Sequence, residues 1–145
     1  MAAEKRAEVT WRGDLPTGSG TIERVGSGAL GSLGVSWPAR TGEQGDLTSP
    51  EELIAAAHAS CFSMALSNIL AKQGTPPQKL SVSATVTFVP GEGITTSALD
   101  VVGDVPDVDE GRFRQAAETA KDDCPVSGAL KGNVELTVTS RLAGS

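Results

Sequence analysis

TSPEELIAAAHASCFSMALSNIL, Thr48 to Leu70, contains one of the two cysteines and the sole histidine of a 145-residue chain. It opens with helix-start chemistry. Ser49 can accept a hydrogen bond from a free N–H, Pro50 at the first helical position loses no needed donor, and Glu51 and Glu52 oppose the positive end of the dipole. From Leu53 to Leu70 the residues are apolar or small nearly all round, with Ala55, Ala56, Ala57, Ala59, Ser60, Ser63, Ala65 and Ser67 permitting close approach. Such a helix is expected to be central and buried. At roughly 100° per residue, His58 and Met64 flank Cys61, and Glu51 falls near the same face. Lys72, Gly74 and Pro76-Pro77 supply a basic last turn, a glycine stop and breakers.

The flanks read as strands. Ala7, Val9 and Trp11 alternate with polar residues, predicting a half-buried first strand, and Gly18 to Val25 and Ala29 to Trp37 follow around a Gly26-Ser27-Gly28 turn. These make a short antiparallel meander. The glycines near Gly18 lack the helix a phosphate loop must open, so no nucleotide cofactor is expected. Trp37 to Gly42 leaves the sheet at Pro38, placing Arg40 on a connecting segment that continues as a loop from Glu43 to Leu47.

Beyond the helix, Leu80, Val82, Ala84, Val86 and Phe88 form a clean alternating strand, and Pro90 to Gly93 makes a hairpin turn. Ile94 to Val105 returns as its partner. Asp107 or Asp109 then caps a helix over Glu110 to Asp122 with a Phe113, Ala116, Ala117, Ala120 stripe. Cys124 precedes a short helix opened by Pro125, and Val134, Leu136 and Val138 mark a last strand. Strands come in adjacent pairs rather than alternating with helices, so the fold class is α+β, with antiparallel sheets around a long buried central helix. The whole of 1–145 reads as a single domain.

Aromatics make up 3% of the chain and Tyr is absent. The core must therefore be built from Val, Leu, Ile and Ala, which favours a dimer that shares one. A net charge of −6 and a pI near 4.7 argue against nucleic acid or an anionic membrane as partner. No apolar run is expected to reach the ~20 residues of a bilayer span, and Met1 to Gly13 has no signal-peptide core, so a cytoplasmic protein is expected. In a reducing compartment the cysteines are either inert core thiols or a transient redox pair.

Desolvation raises the pKa of a thiol in a buried helix, so Cys61 left alone would be inert. To act as a nucleophile it needs a cation. Protonated His58 is one candidate; Arg40 is the better, since it is always charged and can be oriented by Glu51. At Cys124, helix N–H groups favour the thiolate while Asp122 and Asp123 oppose it. That balance suits the second thiol of a pair, with Cys61 acting first. A metal would find only three side-chain ligands in His58, Cys61 and Cys124 and need a fourth from a carboxylate or water. A lone histidine on an apolar helix is more often a hydrogen-bonded core residue. A non-catalytic scaffold for a hydrophobic ligand or partner, with both thiols structural, is the alternative function.

SPEELIAAAHASCFSMALS and the later CPVS resemble the two motif regions of the osmotically inducible protein C and organic hydroperoxide resistance family of peroxidases, and the likeness runs over nearly the whole chain. Val126 after Cys124-Pro125 is more similar to the osmotically inducible branch. The resemblance implies an intertwined homodimer and a stress-responsive thiol peroxidase without metal or organic cofactor. Its first cysteine, Cys61, would attack an organic hydroperoxide, and Cys124 would close a disulfide that a dithiol, lipoyl-type in the better studied branch, reduces. The family's arginine and glutamate map onto Arg40 and Glu51, with Arg24 as the fallback arginine. Ser49 stands where the family commonly has Asn.

Overall fold

The structure, a computed structural model, describes residues 2–42 and 45–144. The start of the expected Glu43 to Leu47 loop, Glu43 and Gln44, lies outside the described residues, as do Met1 and Ser145. Two compact units divide the chain, Met1–Leu53 and Ile54–Ser145.

In the first unit, β1 (Ala7–Arg12), β2 (Ser19–Val25) and β3 (Gly31–Val35) form the expected antiparallel meander in that order. β1 is not half-buried as its alternation predicts: Val9 is 58% and Trp11 41% exposed. It is an edge strand of a three-stranded sheet, and alternation specifies a face without supplying what covers it. A second correction concerns 37–41. Instead of a plain connecting segment, Trp37–Thr41 is a short helix, α1. Pro38 sits in its first turn, where its fixed φ is helical and its missing N–H is not needed, and the Ser36 hydroxyl accepts from the Ala39 N–H at 3.1 Å.

The long helix α2 (Pro50–Lys72) begins as its chemistry predicts: the Ser49 hydroxyl accepts from the Glu52 N–H at 3.1 Å, and the Thr48 hydroxyl donates to the Glu52 carboxylate at 2.8 Å. It ends at Gly74, whose positive φ of 85° suits glycine. The structure departs from the expectation of burial all round. Only the i, i+4 stripe of His58, Phe62, Leu66 and Leu70 is fully buried in the single chain, while Met64 on another face is 72% exposed. The helix also corrects the expectation that no apolar run reaches membrane-spanning length, since its 23 residues include an 18-residue window of mean hydropathy 1.5. Its leucines, isoleucines, alanines and Cys61, Phe62 and Met64 give it that value against the polar serines, and the same composition suits a helix with protein packed on two faces.

In the second unit, β4 (Lys79–Val89) and β5 (Gly93–Asp104) form an antiparallel hairpin, followed by α3 (Glu110–Asp123), α4 (Pro125–Leu130) and β6 (Glu135–Leu142). Asp109 is the cap of α3, accepting from the Arg112 N–H at 2.8 Å, and the Phe113, Ala116, Ala117, Ala120 stripe is buried. One pairing differs from an all-antiparallel arrangement: β6 lies parallel to β5, giving the order β4-β5-β6. The helices α3 and α4 make the crossover that a parallel neighbour requires. The core joins Phe62, Leu66 and Leu70 of α2 to Leu99 and Val101 of β5 and to the α3 stripe.

Within this core His58 is fully buried and both ring nitrogens are engaged, Nδ1 with the Ser97 hydroxyl of β5 at 2.6 Å and Nε2 with the Ser127 hydroxyl of α4 at 2.8 Å. One imidazole thus ties α2 to two other elements. Burial pushes its pKa below 6.5, so the ring is held neutral.

Two outcomes follow from this packing. Because His58 binds its proton less readily when folded, the unfolded chain takes up more protons just below pH 6.5, and stability falls as pH drops through that window. Urea titrations between about pH 7 and 5, above the carboxylate range, should show this slope in the native chain and its loss in His58→Gln. At Gly103 an added Cβ would stand 2.5 and 2.7 Å from the fully buried Phe113 ring. Gly103→Ala should therefore cost about 1–3 kcal/mol, read as a lower urea midpoint with an unchanged m-value.

Candidate functional site

The expected site residues come together as two pairs, one in each unit. In the first, Arg40 on α1 meets Glu51 in the first turn of α2. The guanidinium donates from Nε to Oε1 at 3.1 Å and Oε2 at 3.0 Å, and from Nη2 to Oε2 at 2.9 Å. The carboxylate side chain is 7% exposed and the arginine 31%, so the Glu51 charge is nearly removed from water and compensated by a fixed fork of donors. The Trp37 ring lies 6.0 Å from the guanidinium carbon, at the outer limit for a cation–π contact. Arg40 also lines an apolar hollow of about 180 Å³ with Trp11, Leu15, Val35, Trp37 and Pro50. Arg24, the fallback arginine, lies elsewhere: it is 70% exposed and paired across the β1–β2 ladder with Glu8.

In the second unit the structure brings Cys61 and Cys124 together as free thiols. Cys61 on α2 is partly buried, and desolvation pushes its pKa above 9.0; a hydrogen bond from the Val126 backbone opposes the shift, while the neighbouring Cys124 sulfur adds to it. The expectation that a buried helix raises the pKa of its thiol thus has the right sign, since burial outweighs the local donor. Cys124 is fully buried at the junction of α3 and α4. It is the cap of α4, accepting from the Ser127 N–H at 3.4 Å, and its sulfur lies 3.1 Å from the Ser127 hydroxyl.

Three contributors are absent from the sequence reading: the Ser97 and Ser127 hydroxyls and the Val126 N–H. Ser127 had a local signal, since it stands three residues after a capping residue, where a free helix N–H is normally met. Ser97 had none, because its contact with His58 spans β5 and α2. Among the described residues there is no group of three His, Cys, Asp or Glu side chains arranged to hold a metal ion.

Comparison with known proteins places this geometry in a lineage. The model of the family described as OsmC-like protein matches residues 43–139. Peroxiredoxin OsmC of Escherichia coli (strain K12) is 39% identical over 140 residues, covering 94% of this chain and 96% of that protein. The organic hydroperoxide resistance protein of Xanthomonas axonopodis pv. citri (strain 306) is 32% identical over 101 residues, covering 68% of this chain and 70% of the relative. The crystal structure of organic hydroperoxide resistance protein OhrB of Bacillus subtilis superposes with a TM-score of 0.65 at 26% identity, covering 94% of this chain and 98% of that one. With its α+β architecture and its two motif cysteines in contact, this chain belongs to the OsmC-like protein family.

Proposed function

We propose that this chain is a thiol-dependent peroxidase that reduces organic hydroperoxides to alcohols, with Cys61 as the attacking thiol and Cys124 as the resolving one. The observation that carries the reading is the adjacency of the two thiols, close enough for the Cys124 sulfur to hydrogen-bond and repel a charge on Cys61. The names of the relatives, a peroxiredoxin and an organic hydroperoxide resistance protein, support the same chemistry.

In this reading the Cys61 thiolate attacks the peroxide oxygen of ROOH, the O–O bond breaks, and sulfenic acid and an alkoxide result; the alkoxide takes a proton to leave as alcohol. Cys124 then attacks the sulfenic sulfur, forming the disulfide and releasing water. A dithiol, of lipoyl type by family resemblance, restores both thiols, which suits a reducing compartment such as the cytoplasm.

Arg40 is assigned to stabilise the Cys61 thiolate and the developing alkoxide, and Glu51 to orient it. The support is chemical. Burial disfavours the Cys61 thiolate, so a permanent cation is needed, and the Arg40 fork is already fixed by three hydrogen bonds to one buried carboxylate. The apolar hollow beside Arg40 accords with a hydroperoxide bearing a hydrocarbon group. The exposed faces of α2 and β1, carrying Met64, Val9 and Trp11, support a homodimer in which a second copy covers them, with 1–145 acting as one domain.

Reduced protein given one equivalent of cumene hydroperoxide should lose both free thiols; retention of both overturns the reading. Cys124→Ser should instead accumulate a trappable sulfenic acid at Cys61, and Cys61→Ser should consume no peroxide. Arg40→Met should lower kcat/KM for the peroxide by ~10²-fold and move Cys61 alkylation to higher pH. An unchanged alkylation-versus-pH profile removes Arg40 from the assignment.

A further inference from the structure

His58 and Ser127 have no part in the scheme above, yet they sit behind its resolving thiol. The Ser127 hydroxyl is within hydrogen-bond distance of both the Cys124 sulfur, at 3.1 Å, and His58 Nε2, at 2.8 Å. All three groups, with Ser97 on the far side of the ring, are fully buried. We propose that Ser127 and His58 form a proton-transfer pair for disulfide closure: Ser127 relays the thiol proton of Cys124, and His58 is the positioning residue behind it that takes the proton up.

A buried thiol that must become a nucleophile needs somewhere to send its proton without water. Here the route is drawn by the hydrogen bonds. With Nδ1–H donating to the Ser97 oxygen, Nε2 carries the lone pair and accepts from the Ser127 hydroxyl, whose oxygen in turn faces the Cys124 S–H. As the Cys124 sulfur attacks the sulfenic sulfur of Cys61, its proton passes to the Ser127 oxygen and the Ser127 proton passes to Nε2. The S–O bond breaks, hydroxide leaves, and the proton held on His58 returns through Ser127 to complete a water molecule. One S–S bond forms and one S–O bond is lost, with sulfenic acid plus thiol giving disulfide plus water.

The surroundings suit a transient acceptor. The groups on the ring are Ser97 from β5 and Ser127 from α4, with Cys124 beyond it, and Cys61 stands three positions further along the same helix. Among the described residues no charged neighbour contributes to its titration; burial alone acts on it, which keeps the acceptor nitrogen unprotonated until a proton is delivered. Two other partners would satisfy a merely structural histidine equally well, but one of these partners is the Ser127 hydroxyl, hydrogen-bonded to the Cys124 sulfur.

The inference rests on the peroxidase reading, and single-turnover kinetics separates the two. The reduced full-length chain is mixed with one equivalent of cumene hydroperoxide, Cys61 sulfenic acid is trapped with a dimedone-type reagent, and disulfide formation is followed by free-thiol loss. In Ser127→Ala and His58→Gln, sulfenic acid should form at the native rate and close to disulfide about 10²-fold more slowly, with Ser127→Thr restoring closure. In the native chain the closure rate should fall as acid protonates His58, and His58→Gln should lack that fall. Native closure rates in a folded Ser127→Ala chain, or an unaltered pH profile in His58→Gln, overturn the inference while the peroxidase reading stands. If His58→Gln does not fold, Ser127→Ala decides alone, since it removes one oxygen and keeps the backbone N–H on Cys124. Failure of the native chain to form sulfenic acid overturns both.

Discussion

A histidine sealed away from water must have both ring nitrogens satisfied, and in this chain that requirement brings three elements to one place. His58 faces inward from α2, and Ser97 and Ser127 meet its two nitrogens from β5 and α4. Leaving one such nitrogen unpartnered would cost about 1–3 kcal/mol, a large share of the stability of a small domain. The contact therefore fixes more than a side chain. Together with the Phe62, Leu66 and Leu70 stripe it holds α2 against β5 and α4, in the region where Cys61 and Cys124 meet.

Two opposing demands on the thiols are met in different ways. Cys61 is partly buried, which raises its pKa, and its compensation within the second unit is a single backbone donor at Val126. Cys124 instead receives the Ser127 N–H and lies against its hydroxyl. Local structure thus gives the second thiol its donors, while the first has only the Val126 backbone to set against its burial. In the first unit Arg40, locked on Glu51 by three hydrogen bonds, is a cation held in fixed geometry.

Much of this architecture was legible in the sequence because it rests on short-range rules. Ser49-Pro50-Glu51-Glu52 reads as a helix start from capping chemistry alone, and the Ser49 contact is where that chemistry puts it. The strand alternation of Leu80 to Phe88 and the α3 stripe likewise depend on period. Arg40 and Glu51 were paired by charge and by family resemblance rather than by spacing. What escaped is what periodicity does not encode. A five-residue helix at Trp37–Thr41 hides in a segment whose Pro38 reads equally as a breaker or as a first-turn residue. The parallel direction of β6 depends on where a crossover lands, and the exposure of Met64 and Trp11 depends on what covers a face. Ser97 could not be chosen among many serines without the sheet that delivers it.

The parallel pairing of β5 with β6 also bears on how the molecule assembles. Hairpin β4–β5 can zip from its turn, but β6 joins only after the intervening helices have crossed over, and the His58–Ser127 contact spans 69 positions. Such non-local closure is slow compared with forming α2 or the hairpin. Cys124 rides on the segment that docks late, so the two thiols become neighbours only as folding finishes. A nascent chain therefore holds Cys61 without its companion, and the pairing of the two thiols is a property of the completed fold.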